Sequence, residues 1–178
     1  MLQIGHRLSY DFDCFSEKPL LGNTDKMVYD IFGRNIAVKV QTRDQISFVT
    51  PTSVEITFLC HPYKPLRKLI ETGSIPLFHL DDLAANKAMT IGKRGAWRDY
   101  VDIFFLLRKN LCSIEDLIAL AEQKFAGMFS EKLFLEQLIY FDDLDMSPTA
   151  YLKESYEEKD IKSFLEKRVE EYIQKRIH

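Results

Sequence analysis

The apolar pattern of this chain is mostly strand-like at first and wholly helical from Asp81 onward, and that change limits the folds open to it. From Leu8 to Phe15 the residues alternate, with Leu8, Tyr10, Phe12 and Cys14 on one side and Ser9, Asp11, Asp13 and Phe15 on the other. Successive side chains of a strand point to opposite faces, so this is a strand with two acids on one face. Three more strand patterns follow at 36–41, 45–50 and 53–60, joined by turn residues Arg43-Asp44 and Pro51-Thr52, which predicts a meander. In the last of them Val54, Ile56 and Phe58 take the core side and Glu55 and Thr57 the other. Between the first two strands, Thr24 to Phe32 reads as a helix that Gly33 stops.

From Asp81 onward the period is helical. Leu83, Ala84, Lys87, Ala88 and Ile91 share a face until Gly92 and Gly95 interrupt it, and a second helix over 96–109 carries the stripe Tyr100, Ile103, Phe104 and Leu107. Ser113 and Ser130 are N-caps for helices over 114–126 and 131–141. Residues 142–151 read as a solvated loop. A last helix over about 157–177 buries Ile161, Phe164, Leu165, Val169, Tyr172 and Ile173, with Glu158–Lys162 and Glu171–Lys175 as i,i+4 pairs. The expected architecture is α+β: a small mixed sheet in residues 1–80, then a helical region over 81–178 that completes the site and packs on the sheet.

Composition narrows the function classes. The chain has 178 residues, 46% of them hydrophobic, which supports a packed core and argues against disorder over most of its length. A net charge of −3 argues against coating nucleic acid through overall charge, while leaving room for a local basic groove. Cys14, Cys60 and Cys112 are odd in number and widely spaced, as expected of reduced thiols in the cytoplasm. No secretory leader pattern stands at the start, and no run approaches the ~20 apolar residues that span a bilayer. The expectation is a soluble cytoplasmic protein without a membrane partner.

Two groups of residues could carry chemistry. Asp11 and Asp13 would project to one side about 6.5–7 Å apart along the strand, and two carboxylates so placed suit a hard cation such as Mg²⁺ or Mn²⁺. With a further oxygen ligand they could hold two ions for phosphoryl displacement. The second group is Lys87, Arg94, Arg98, Asp99 and Asp102. Lys87 either lays its stem on buried surface or offers its ammonium to a triphosphate. Asp99 and Asp102, at i,i+3, either pair with Arg94 and Arg98 as a surface network, or Asp99 acts as a general base or orients an attacking hydroxyl. Of the histidines, His6, His61, His79 and His178 show no metal-ligand spacing. Asp142-Asp143-Leu144-Asp145 lacks the glycine and distal glutamate of a calcium loop.

The segment Gly5-His6-Arg7-Leu8-Ser9-Tyr10-Asp11-Phe12-Asp13-Cys14-Phe15 resembles the acidic motif of the AbiEii/AbiGii family of nucleotidyltransferase-like toxins. The downstream block Lys87-x6-Arg94-x3-Arg98-Asp99-x2-Asp102 resembles that family's second block, and the resemblance runs from Gly5 to about Tyr172. It implies a polymerase-β-like nucleotidyltransferase sheet followed by a helical C-terminal bundle, in the toxin half of a toxin–antitoxin system linked to phage defence. By the same resemblance Asp11 and Asp13 are metal ligands, and Arg7 and Ser9, at the positions just before them, bind the nucleotide. Lys87 is the phosphate-contacting lysine, Arg94 and Arg98 flank the nucleotide, and Asp99 is the second-block acid, with Asp102 its companion. The implied substrate is a nucleoside triphosphate, the implied acceptor an RNA such as transfer RNA, and the implied protein partner a cognate antitoxin.

The family's glycine-rich phosphate-gripping motif, expected on a helix before the acidic strand, has no counterpart in the sequence. The expectation is a chain cut short at that helix, with an open sheet edge for a second copy to cover. The third metal ligand stays open between Glu55, Thr57 and none. Three functions follow: a metal-dependent nucleotidyltransferase, a disabled relative serving as a binding module, and a metal nuclease, the last disfavoured by the surroundings of Glu55.

Overall fold

The computed structural model describes residues 3–91 and 93–177 and groups the chain into two compact units, Ser9–Lys64 and Met1–Leu8 with Pro65–His178.

In the first unit the elements are β1 (Asp11–Ser16), α1 (Thr24–Phe32), β2 (Ala37–Gln41), β3 (Gln45–Val49) and β4 (Glu55–Cys60). The sheet order is β1-β4-β3-β2, with β1 parallel to β4 and the other pairs antiparallel. Both expected turns form: Thr42 N–H donates to Gln45 O at 2.8 Å, and Thr50 N–H to Val54 O at 2.9 Å. Ser53 sits at φ 62 in the second turn, so β4 starts at Glu55 rather than Ser53. Gly33 ends α1 at φ 77, a conformation L side chains resist, and its N–H returns to Tyr29 O.

One face of this sheet is apolar. Phe12, Ile56, Phe48 and Val38 lie side by side in register, as do Cys14, Phe58 and Ile46. Val28 and Phe32 of α1 close over it, with Phe32 and Phe58 ring centroids 5.0 and 6.4 Å from that of Phe48. The opposite face carries Asp11 beside Glu55, and Asp13 beside Thr57, which is beside Ser47. The meander and its two faces are as the alternation predicts. The register shift between Val38 and Val40 was not foreseen: Lys39 is an extra residue that bulges β2.

The second unit holds α2 (Leu80–Ile91), α3 (Trp97–Arg108), α4 (Ile114–Phe125), α5 (Glu131–Leu138) and α6 (Glu158–Ile177). The Gly92 stop expected after α2 lies outside the described residues, as do Met1 and His178. Ser113 makes a capping box with Asp116, and Ser130 accepts from Leu133 N–H, both as expected. α5 stops three residues short of the expected Phe141, and Tyr100 Oη donates to Gln137 O at 2.9 Å, satisfying a carbonyl at that end.

α3 is the centre of this unit. Its expected stripe of Tyr100, Ile103, Phe104 and Leu107 is buried, and so are Val101, Phe105 and Leu106 on its other sides. A helix apolar all round belongs inside a bundle, not on its surface. The loop expected to be a solvated turn docks on its start, where Asp145 N–H donates to Gly95 O and Trp97 N–H to Asp145 O. A Cβ on Gly95 would stand 2.9 Å from Asp143 O, so the approach requires glycine there. In α6, Ile161, Leu165, Val169 and Tyr172 are buried, but Ile173 is exposed. Lys175 reaches across to Glu115 of α4 at 3.5 Å, and Lys162 lies over the rings of Trp97 and Phe141 at 5.8 and 5.3 Å. Among the described residues no helix is long and apolar enough to cross a membrane.

Asp82 and Lys124 form an ion pair at 2.7 Å with both side chains fully buried. Asp82 also accepts the Leu66 and Arg67 N–H groups at 2.9 and 3.1 Å, which ties the segment entering this unit to α2 and α4. Removing one partner strands the other charge in low dielectric. Lys124→Ala is expected to cost about 3–5 kcal/mol in urea unfolding. Combining Asp82→Asn with Lys124→Met should cost less than the two single changes summed, and additive costs would show that the charges do not act as a pair.

Candidate active site

β1 presents Asp11 and Asp13 on the polar face of the sheet, two residues apart as the pleat requires. Ser9 Oγ hydrogen-bonds to Asp11 Oδ1. Glu55, the register neighbour of Asp11, is engaged elsewhere: Lys39 Nζ donates to its Oε2 at 2.6 Å and Ser47 Oγ to its Oε1 at 3.1 Å. Those partners sit on β2 and β3, so they draw the carboxylate away from β1. The Lys39 hydrogen bond holds the Glu55 carboxyl below its ordinary range, with burial and the nearby Asp11 charge opposing. Thr57 is buried, and its hydroxyl is shared with Ser47 at 3.0 Å.

As for a metal, among the described residues no three His, Cys, Asp or Glu side chains gather in a way that could hold an ion. The donors present still suit Mg²⁺. It binds through hard oxygens, and one or two protein carboxylates suffice where waters and substrate phosphates complete the shell. Asp11 and Asp13 on one face are such a pair.

The second unit builds a polar cluster around α3. Asp99 and Asp102 have side chains with no solvent exposure, on a helix that is buried on nearly every side. Lys87 Nζ of α2 bridges them, 2.6 Å from Asp99 Oδ1 and 2.6 Å from Asp102 Oδ2. Arg94 grips Asp99 with both Nε and Nη2, at 2.8 and 3.1 Å. Arg7 grips Asp102 the same way, at 2.7 and 2.8 Å. These forked pairs fix orientation as well as charge. His6 adds a fourth bond to Asp102, Nε2 to Oδ1 at 2.8 Å; an ionised carboxylate only accepts, so Nε2 carries the proton.

The segment bearing His6 and Arg7 is held by more than this cluster. Leu8 N–H donates to Ala150 O and Leu152 N–H to His6 O, both at 2.9 Å, while the His6 ring packs on Phe105 at 4.5 Å. These bonds take Leu8 out of the expected strand, and β1 starts at Asp11 instead of Leu8.

Five of the residues singled out from the sequence, Arg7, Lys87, Arg94, Asp99 and Asp102, thus meet in one cluster. Asp11, Asp13 and Ser9 belong to β1 and the residues leading into it, and Arg98 lies exposed on α3. His6 and Lys39 were missed. Nothing in the spacing of His6 marks it, whereas Lys39 lies on the alternate-residue side that would oppose the apolar Val38.

Burial pushes the Asp102 carboxyl up, but Lys87, His6 and Arg7 outweigh it and hold it far below the usual carboxylate range. Asp99 is likewise held below it: burial is outweighed by Arg94 and Lys87. A depressed carboxyl stabilises the fold above its unfolded pKa of about 4 and loses that contribution as pH falls, because the unfolded chain takes up protons first. Unfolding free energy is therefore expected to hold steady from neutral pH to about 4.5 and then drop. Asp102→Asn should make that drop shallower in urea titrations at stepped pH; an unchanged slope would contradict the placement of Asp102.

Comparison with known proteins identifies the family and the fold. The family described as nucleotidyl transferase AbiEii toxin, type IV toxin–antitoxin system, matches residues 1–175. An uncharacterised protein of Aquifex aeolicus is 27% identical over 179 residues, covering 98% of this chain and 84% of that protein. A solved H. pylori protein, described as a "putative nucleotidyltransferase", superposes with a TM-score of 0.54 at 15% identity, covering 95% of this chain and 80% of that one, and so supports the fold. The α+β sheet with its helical remainder is accordingly a nucleotidyltransferase fold, and the chain belongs to the AbiEii nucleotidyl transferase toxin family.

Proposed function

We propose that this chain is a metal-dependent nucleotidyltransferase that uses a nucleoside triphosphate to modify an RNA acceptor such as transfer RNA, opposed in the cell by a cognate antitoxin. The observation that carries this reading is the pair Asp11 and Asp13 on the polar face of β1, in a chain matched to the family over residues 1–175.

In this reading the acceptor hydroxyl oxygen attacks the α-phosphorus and gives up its proton to solvent water, the bond to the bridging oxygen breaks, and pyrophosphate leaves with that electron pair. Asp11 and Asp13 would hold Mg²⁺ or Mn²⁺, which would supply positive charge at the phosphate and make the acceptor hydroxyl more acidic. Arg7 and Ser9 contribute to binding the nucleotide. Lys87 offers phosphate the one ammonium proton left after its two carboxylate bonds. Arg94, with half its side chain exposed, and Arg98 flank the nucleotide.

The geometry favours a different role for Asp99 from general base. Its two oxygens accept three charge-assisted bonds, and its carboxyl is held below the usual range, so it has little tendency to take a proton at neutral pH. Asp99 and Asp102 together act as a cradle that aims Lys87. Most of the rate then comes from positioning and charge, as is general for phosphoryl transfer.

Asp11→Asn is expected to lower nucleotide incorporation by at least about 100-fold while leaving the circular dichroism spectrum unchanged. Lys87→Met should raise the triphosphate KM and lower kcat together. Equal incorporation of labelled nucleotide by wild type and Asp11→Asn would end this assignment. A wild-type chain whose melting temperature ignores millimolar triphosphate with Mg²⁺ would instead fit a binding module without catalysis.

A further inference from the structure

The polar face of the sheet contains a cation of its own. Lys39 is the inserted residue of the β2 bulge, and a bulge re-aims a side chain that regular pairing would place otherwise. Its ammonium sits 2.6 Å from Glu55, next in register to Asp11. Without Lys39 this face would set three carboxylates, Asp11, Asp13 and Glu55, on two neighbouring strands. The pair is half exposed, with 53% of the Lys39 side chain and 35% of that of Glu55 open to solvent. Such an exposed pair contributes little to stability and exchanges readily.

We propose that Lys39 is a displaceable internal counter-ion, placed by the β2 bulge, that keeps Glu55 turned away from Asp11 and so limits how tightly this face binds a divalent cation. This rests on the reading of β1 as the metal-holding strand. Two consequences follow from charge and geometry. With Lys39 in place, Glu55 is spent on the lysine and on Ser47 and contributes little to an ion at β1. With Lys39 removed, Glu55 keeps only the Ser47 bond, the face gains one net negative charge, and the carboxylate is released to turn toward its neighbour. Weak resting affinity suits a site whose ion arrives already bound to a triphosphate, because the substrate phosphates then supply the missing ligands.

The test is a two-residue cycle on the full chain, with Mn²⁺ alone as the probe and free Mn²⁺ read by electron paramagnetic resonance. Asp11→Asn provides the control for binding at β1. Lys39→Met should tighten Mn²⁺ binding by about tenfold. Glu55→Gln alone should stay within about twofold of wild type, and Lys39→Met with Glu55→Gln should lose the gain. Because Lys39 is half exposed, the methionine variant is expected to melt within a few degrees of wild type, which shows that it folds. Unchanged or weaker binding by Lys39→Met, or a gain that survives Glu55→Gln, overturns the inference. If Asp11-dependent binding accompanies a flat Lys39→Met response, only this inference fails. If Mn²⁺ binding ignores Asp11 altogether, the reading of β1 fails and takes the inference with it.

Discussion

The helical unit depends on two carboxylates that have no business in an apolar core unless cations meet them. Asp99 and Asp102 lie fully buried on α3 among Tyr100, Val101, Ile103 and Phe104. Burying an unpaired carboxylate is costly enough to unfold a domain of this size. The structure answers with Lys87 from α2, Arg94 from the turn before α3, and Arg7 with His6 from the start of the chain. Three segments, one of them from the far start of the chain, are thereby fastened to one helix face. The same bonds that satisfy the two acids hold the Lys87 ammonium still, so stability and the aim of a candidate phosphate-binding group share one set of contacts.

The sheet unit separates its tasks by face. Its apolar side is closed by α1 through Val28 and Phe32, and the side chains doing this follow the period-2 pattern almost without exception. Its polar side keeps Asp11, Asp13, Glu55, Thr57 and Ser47 on adjacent strands. A polar face on a small sheet costs stability, because it buries no apolar area. Retaining it is what a strand-borne chemical site requires. Lys39 softens the electrostatic cost of gathering acids there.

Much of this was legible in the sequence, and what was not has physical causes. The strands, their faces, the Gly33 stop and the Ser113 and Ser130 caps follow from local rules that depend on few residues. The burial of Asp99 and Asp102 does not, because i,i+3 spacing places two acids on one face without saying whether that face meets water. The all-round apolar character of Val101, Phe105 and Leu106 was the available signal, and a stripe-based reading passes over it. The β2 bulge is hidden because Ala37-Val38-Lys39-Val40-Gln41 alternates acceptably in either register. The docked loop at Asp145 and the Lys175–Glu115 contact are long-range choices among exposed groups, which local pairing rules cannot rank. The family resemblance supplied what spacing could not, by joining the acids of β1 and the Lys87 block in one chain.

Two buried carboxylates hold the Lys87 ammonium in place, which ¹⁵N NMR of the lysine ζ-ammonium groups reads directly, with Lys87→Arg to assign the signal. The Lys87 resonance is expected to exchange slowly with water, unlike those of the exposed lysines, and to lose that protection in Asp102→Asn. A Lys87 signal that exchanges as fast as those of the surface lysines would contradict it.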